Sequence, residues 1–158
     1  MTTTFAAATS AGRAGTAELS VPLVLYDDPG TTHFTVSLDL YSHLAGLPHV
    51  GALKIPPIAG GVGEVRERVQ EIRAVIPEHG RLGISGDGVA ATGLLAGCDA
   101  WFSSLGGTIP EAMAAIARPA LAGDEASAIA ASERLRSSCE ADTAGRARPD
   151  ADSTRRFG

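Results

Sequence analysis

An α/β fold with parallel strands is predicted by three features of the sequence. Short apolar runs recur from residue 21 onward, each is cut by a break rich in Gly, Pro or Asp, and each break leads into a longer segment with helical periodicity. Consecutive strands that alternate with helices are parallel, joined by right-handed crossovers. Near-continuous apolar strands suit a sheet that is either doubly wound or closed as an eight-fold barrel.

The first run is Val21 to Tyr26, "VPLVLY", broken by Asp27-Asp28-Pro29-Gly30. A helix follows from Ser37, a good N-cap residue, with Leu40, Tyr41, Leu44 and Leu47 on one face. The second run, Val50 to Ile55, is broken by "PPIAGG" and leads into the clearest helix of the chain. There Val62, Val65, Val69, Ile72 and Ile76 recur at three- and four-residue steps with charges between them, until Pro77 stops the pattern. The third run, Arg81 to Ser85, breaks at Gly86-Asp87-Gly88 before a short helix through Leu94 and Leu95. The fourth, Ala100 to Ser103, breaks at Gly106-Gly107, and Pro110 then occupies the permissive first turn of another helix. Gly123-Asp124 separates it from a last helical segment through Ile129 and Leu135. The expected organisation is a helix remnant or flexible segment over 1–20, a folded unit over 21–138, and a disordered tail over 139–158, where periodicity and apolar residues run out.

With 158 residues, 44% of them hydrophobic, the chain is long enough to bury a core. A net charge of -5, with Arg66, Arg68 and Arg73 interleaved by Glu64, Glu67 and Glu71, carries no nucleic-acid footprint. Two cysteines, Cys98 and Cys139, without a CxxC or ligand-like histidine spacing, suggest neither a disulfide framework nor a metal site. The expectation is a cytoplasmic protein with no secretory leader, since the first twenty residues lack a basic start and an unbroken apolar core. No run reaches the length a membrane span needs. No GxGxxG or GxxxxGK[ST] follows a strand, which argues against a nucleotide binder.

One residue stands out chemically. Lys54 is the only lysine, and it lies inside the apolar run "VGALKIPP". Arginine keeps its proton near neutral pH, whereas a desolvated lysine can lose it and become a nucleophile. The plainer alternative is a lysine that snorkels to a strand end. In a parallel α/β sheet, ligand-handling groups collect at the C-terminal strand ends. That rule places Tyr26, Lys54, Ser85-Gly86-Asp87 and Ser103-Ser104 on one rim.

These residues carry a resemblance. "VPLVLYDDPGTTH" is similar to the strand ending Tyr-Asn-x-Pro-x-x-Thr of the dihydrodipicolinate synthase and N-acetylneuraminate lyase family, and "HVGALK" is similar to that family's Schiff-base strand. "SGDGVAATGLLAGCDAWFSSLGGTIPE" resembles its Gly-x-Asp loop, Leu-Leu-Ala-Gly helix end and Ser-bearing last strand. The likeness runs over about residues 21 to 120. It implies a partial (β/α)8 TIM barrel made of the four C-terminal strand-helix units.

The resemblance further implies a lyase or aldolase that forms a Schiff base with pyruvate or a related 2-oxo acid, with no cofactor. Lys54 would be the condensing amine and Tyr26 the proton shuttle. Thr32 would supply a hydroxyl near that tyrosine, Asp87 and Ser104 would hold substrate hydroxyls, and Gly86 would offer backbone groups. The alternatives are that Tyr26 closes a barrel floor, Asp87 caps the next helix and Ser104 serves a turn. Asp27 stands where the family commonly has Asn, and Thr31 where dipicolinate synthases carry an arginine, so a sugar-acid aldolase or another branch is the better match. Ile55-Pro56 after Lys54 also departs from the family's polar pattern. A complete barrel of this kind needs about 250 residues. Half a barrel leaves sheet edges and an apolar face open, which invites a homo-oligomer. The expectation is that two copies pair into a barrel-like dimer, or that the chain is a truncated product or its start was placed too late. The alternative function is a catalytically inactive remnant or interaction subunit that oligomerises.

Overall fold

A computed structural model describes residues 15–146 of the chain. Four strands, β1 (Leu23–Tyr26), β2 (Val50–Ile55), β3 (Arg81–Ser85) and β4 (Ala100–Phe102), form one parallel sheet in the order β1-β2-β3-β4. That order decides between the two architectures compatible with alternating strands and helices. A doubly wound sheet reverses its strand order at a switch point, whereas a barrel adds strands in sequence. No reversal occurs in this sheet.

The helices are α1 (Pro29–Thr32), α2 (Leu38–Ala45), α3 (Val62–Arg73), α4 (Ala90–Leu95), α5 (Pro110–Leu121) and α6 (Glu125–Arg146), with a 3-10 turn at Asp87–Val89. Ser37 caps α2, its hydroxyl accepting from the Leu40 amide. In α3 the Glu64 carboxylate turns back to accept from the Gly61 amide at 2.8 Å, satisfying a donor the helix leaves free. Val65, Val69 and Ile72 form its buried face, as the periodicity requires. Leu53, Ile55, Leu82 and Ile84 project from β2 and β3 into the same core, which α2 closes with Tyr41 and Ala45. A second cluster joins Ala90, Ala91 and Leu94 of α4 to Ile116 and Ala120 of α5 and to Ala128 and Ala131 of α6. The five alanines among these let the three helices approach closely.

At the chain ends, residues 15–17 are helical. The remainder of the expected N-terminal segment, 1–14, and residues 147–158 of the expected tail lie outside the described residues. The last helix continues past Cys139 to Arg146. A helix already nucleated propagates without an apolar face, and no proline interrupts it before Pro149. No helix among the described residues is long and apolar enough to cross a membrane.

Opposite the future rim, Asp99 ties β3 to β4 and to α3. It accepts from the Leu82 amide at 2.7 Å and from Arg73 at 2.5 Å, with Arg81 at 3.5 Å. Partial burial alone would raise its carboxyl, but these donors outweigh it and hold the group below the usual carboxylate range. A depressed folded value means the contribution is present above about pH 4 and fades as pH falls through the folded value. Asp99→Asn is therefore expected to cost about 1–2 kcal/mol at pH 7. The gap to wild type should narrow below about pH 4 in urea unfolding followed against pH. Next to it, burial pushes the Cys98 thiol up to about 11, with Arg73 lowering it and Asp99 raising it by smaller amounts. The thiolate is the reactive form. Cys98 should therefore resist alkylation at pH 8 in the folded protein and react once it is unfolded, as read by peptide mass.

Candidate active site

The C-terminal ends of the strands set the site. Tyr26 is the last residue of β1 and pairs in register with Lys54, which pairs in turn with Gly83. Side chains in such a row share one face of the sheet. Leu25 and Leu53, one residue earlier, face the helices, so Tyr26 and Lys54 face away from them. The Lys54 Nζ lies 3.7 Å from the centroid of the Tyr26 ring and 5.6 Å from that of Phe102. Both aromatic faces attract a cation, each by about 0.5–1 kcal/mol where solvent is near.

Phe102 is the residue that sequence reasoning did not single out. It reaches the amine because Gly83 has no side chain: a Cβ there would stand 2.4 Å from the ring's Cε2. The signal was an alternation, with Gly83 and Phe102 falling on the same face of their strands as Lys54. Only strand register makes that alternation readable.

The face bearing Lys54 is open. Val24 is 43% and Tyr26 49% exposed, and Lys54 is half-buried. Leu53 and Ile55 are buried on the helix side, on the opposite face of β2 from the amine, and the Tyr26 and Phe102 rings stand over it on its own face.

The second group of expected site residues also meets. The Asp87 carboxylate accepts from the Ser104 amide at 3.2 Å, joining the loop after β3 to the loop after β4. Gly86 precedes it with φ 93°, and a Cβ would stand 2.9 Å from the Pro57 Cγ, so glycine is required there twice over. Ser85 links the two groups, its buried hydroxyl donating 2.8 Å to the Ile55 carbonyl. Thr32 behaves differently. Its hydroxyl donates to the Asp28 carbonyl at 2.8 Å and accepts from the Phe34 amide at 3.3 Å, so it is occupied within its own loop. Among the described residues no group of three or more His, Cys, Asp or Glu is arranged to hold a metal ion.

Behind β1, on the helix side, Asp27 is buried and accepts from the Tyr41 hydroxyl at 2.5 Å. Burial first, and then the carboxylate beside it, push the Tyr41 hydroxyl well above the usual phenol range, so it remains a donor.

Known proteins resemble this chain in sequence and in fold. The model of the dihydrodipicolinate synthetase family matches residues 13–141. A 4-hydroxy-tetrahydrodipicolinate synthase of Methylococcus capsulatus is 32% identical over 74% of this chain, a stretch that makes up 38% of that relative. The dihydrodipicolinate synthase structure from Agrobacterium tumefaciens superposes with a TM-score of 0.75 at 29% identity, covering 82% of this chain and 43% of that one. The enzyme from Aquifex aeolicus shares the fold at 19% identity, with a TM-score of 0.71 over 85% of this chain and 44% of its own. The chain thus spans under half the length of the relatives it matches, and its four units are part of a barrel.

Proposed function

This chain belongs to the dihydrodipicolinate synthetase family, and we propose on that premise that it provides the Schiff-base half of a lyase or aldolase acting on pyruvate or a related 2-oxo acid. The observation that carries the proposal is the Lys54 amine set 3.7 Å over the Tyr26 ring at the C-terminal strand ends. In the step proposed, the uncharged amine attacks the 2-oxo carbon, and the carbonyl oxygen leaves as water with one proton from the amine and one from the Tyr26 phenol, so a protonated imine remains. The imine nitrogen then draws the electron pair of the adjacent C–H or C–C bond to give an enamine, with the Tyr26 phenol relaying the proton. Asp87 and Ser104, already linked, would hold hydroxyls of the substrate's distal part, with the Gly86 backbone beside them. Thr32 would join the relay once its hydroxyl leaves the Asp28 carbonyl.

Incubation with pyruvate and borohydride tests this. The expected product is a carboxyethyl group on the Lys54 nitrogen, located by peptide mass. An unmodified Lys54 under conditions that label the Methylococcus capsulatus relative would refute it.

The exposed Val24 and Tyr26 on the open sheet face favour a second reading, an interaction subunit that closes its sheet against another copy or a complete relative. A stable oligomer that forms no adduct is the outcome expected of that reading, and an active monomer would exclude it.

A further inference from the structure

We propose that Asp27 and Tyr41 form a buried clamp behind the sheet that positions Lys54 against Tyr26; the inference rests on the catalytic reading of Lys54. Asp27 directly follows Tyr26 and so points to the opposite face, toward α2. Its amide donates to the Lys54 carbonyl at 2.9 Å, adding one rung to the β1–β2 ladder beyond the end of β1. A single residue is therefore bonded to one member of the pair through the chain and to the other through a hydrogen bond.

What fixes that residue is its side chain. Asp27 is 8% exposed, and a buried carboxylate is tolerated only when it is hydrogen-bonded. Tyr41, 3% exposed, donates to Oδ2 at 2.5 Å, while Oδ1 has no partner among the described protein groups. Tyr41 is itself held by the N-terminal end of α2, its amide donating to the Ser37 carbonyl at 2.9 Å. Helix α2 thus sets the end of β1, and the end of β1 sets the Lys54 backbone. Asp27 and Tyr41 also line a cavity of about 100 Å³ together with Leu25, Val36 and Leu44. A volume of that size takes water-sized groups, so an asparagine at 27 could keep its oxygen on Tyr41 and turn its amide toward the cavity.

Displacing reacting groups by about 1 Å can cost on the order of 100-fold in rate. A clamp that works through one backbone rung should have a smaller effect. Tyr41→Phe and Asp27→Ala are expected to slow borohydride-trapped adduct formation at Lys54 about tenfold at saturating pyruvate, with the half-saturating concentration little changed. Asp27→Asn should restore the wild-type rate. Amide exchange supplies a readout independent of the chemistry: the Asp27 amide should exchange faster in Tyr41→Phe and Asp27→Ala, and at the wild-type rate in Asp27→Asn. Ile116→Ala, in the separate cluster formed by α4, α5 and α6, serves as the control for general destabilisation and should leave both readouts unchanged.

Equal labelling rates in folded Tyr41→Phe and wild type would overturn the clamp, as would failure of Asp27→Asn to rescue. If Tyr41→Phe does not fold, the Asp27→Ala and Asp27→Asn pair decides by the same measures. If wild type itself forms no adduct, the catalytic reading fails while amide exchange at Asp27 still decides the clamp: unchanged protection overturns it, and loss restored by asparagine supports it.

Discussion

After Lys54→Arg substitution, incubation with pyruvate and borohydride is expected to leave the polypeptide at its unmodified mass, and any turnover of a 2-oxo acid to fall by at least about 1,000-fold, as when a covalent nucleophile is removed. Arginine retains the cation between the Tyr26 and Phe102 rings, so the fold should lose no more than about 1 kcal/mol. What it removes is the ability to give up a proton and attack a carbonyl. Adduct formation at wild-type level in Lys54→Arg would place the chemistry elsewhere. Because the chain has no second lysine, residual labelling would point to the N-terminal amine, which peptide mass distinguishes.

The largest stability effect is expected where β3 meets α4. Ile84 is fully buried between the neighbouring strands, and Gly93 of α4 packs directly onto it. Truncating Ile84 to alanine should cost about 2–5 kcal/mol. That is a large share of the roughly 5–15 kcal/mol by which a domain is held together.

The glycine facing Ile84 sharpens the test. A Cβ on Gly93 would stand 2.6 Å from both Cδ1 and Cγ2 of Ile84. Alanine is the better helix former by about 1 kcal/mol, but overpacking a core costs about 1–3 kcal/mol, so Gly93→Ala should destabilise. Ile84→Val removes one of the two clashing atoms. The double variant should therefore be more stable than the sum of the single changes predicts, by at least about 0.5 kcal/mol. Urea unfolding midpoints measure all three; a stabilised Gly93→Ala would show that α4 does not sit against β3 as described.

The elements differ in how far they could be read from the chain. Helix α3 was legible because Val65, Val69 and Ile72 repeat at helical spacing between charges, a pattern that only one face of a helix buries. The four strands were legible as apolar runs between breakers, and Ser37 and Pro110 marked helix starts by local hydrogen-bonding and steric rules. The extension of α6 beyond Cys139 was not, because helix propagation there carries no apolar signature. At the site, Lys54 and Tyr26 could be singled out by residue type and position. Phe102 and Gly83 could not, since an aromatic and a glycine in separate strands become neighbours only when register is set. Tyr41 read simply as part of an apolar face, and the Asp27 carboxylate that accepts its hydrogen bond lies just past the end of β1.

What the residues alone determine is local and periodic: four strand and helix units, the breaks between them, and a single amine at a strand end. The tertiary structure decided the sequential strand order and the pairing of Tyr26 with Lys54 and Gly83. It also decided which side of the sheet the helices cover and which stays open. The reason is physical. Periodicity reports which face of an element avoids water, whereas register and strand order depend on contacts between segments far apart in the chain, and no one segment encodes its partner.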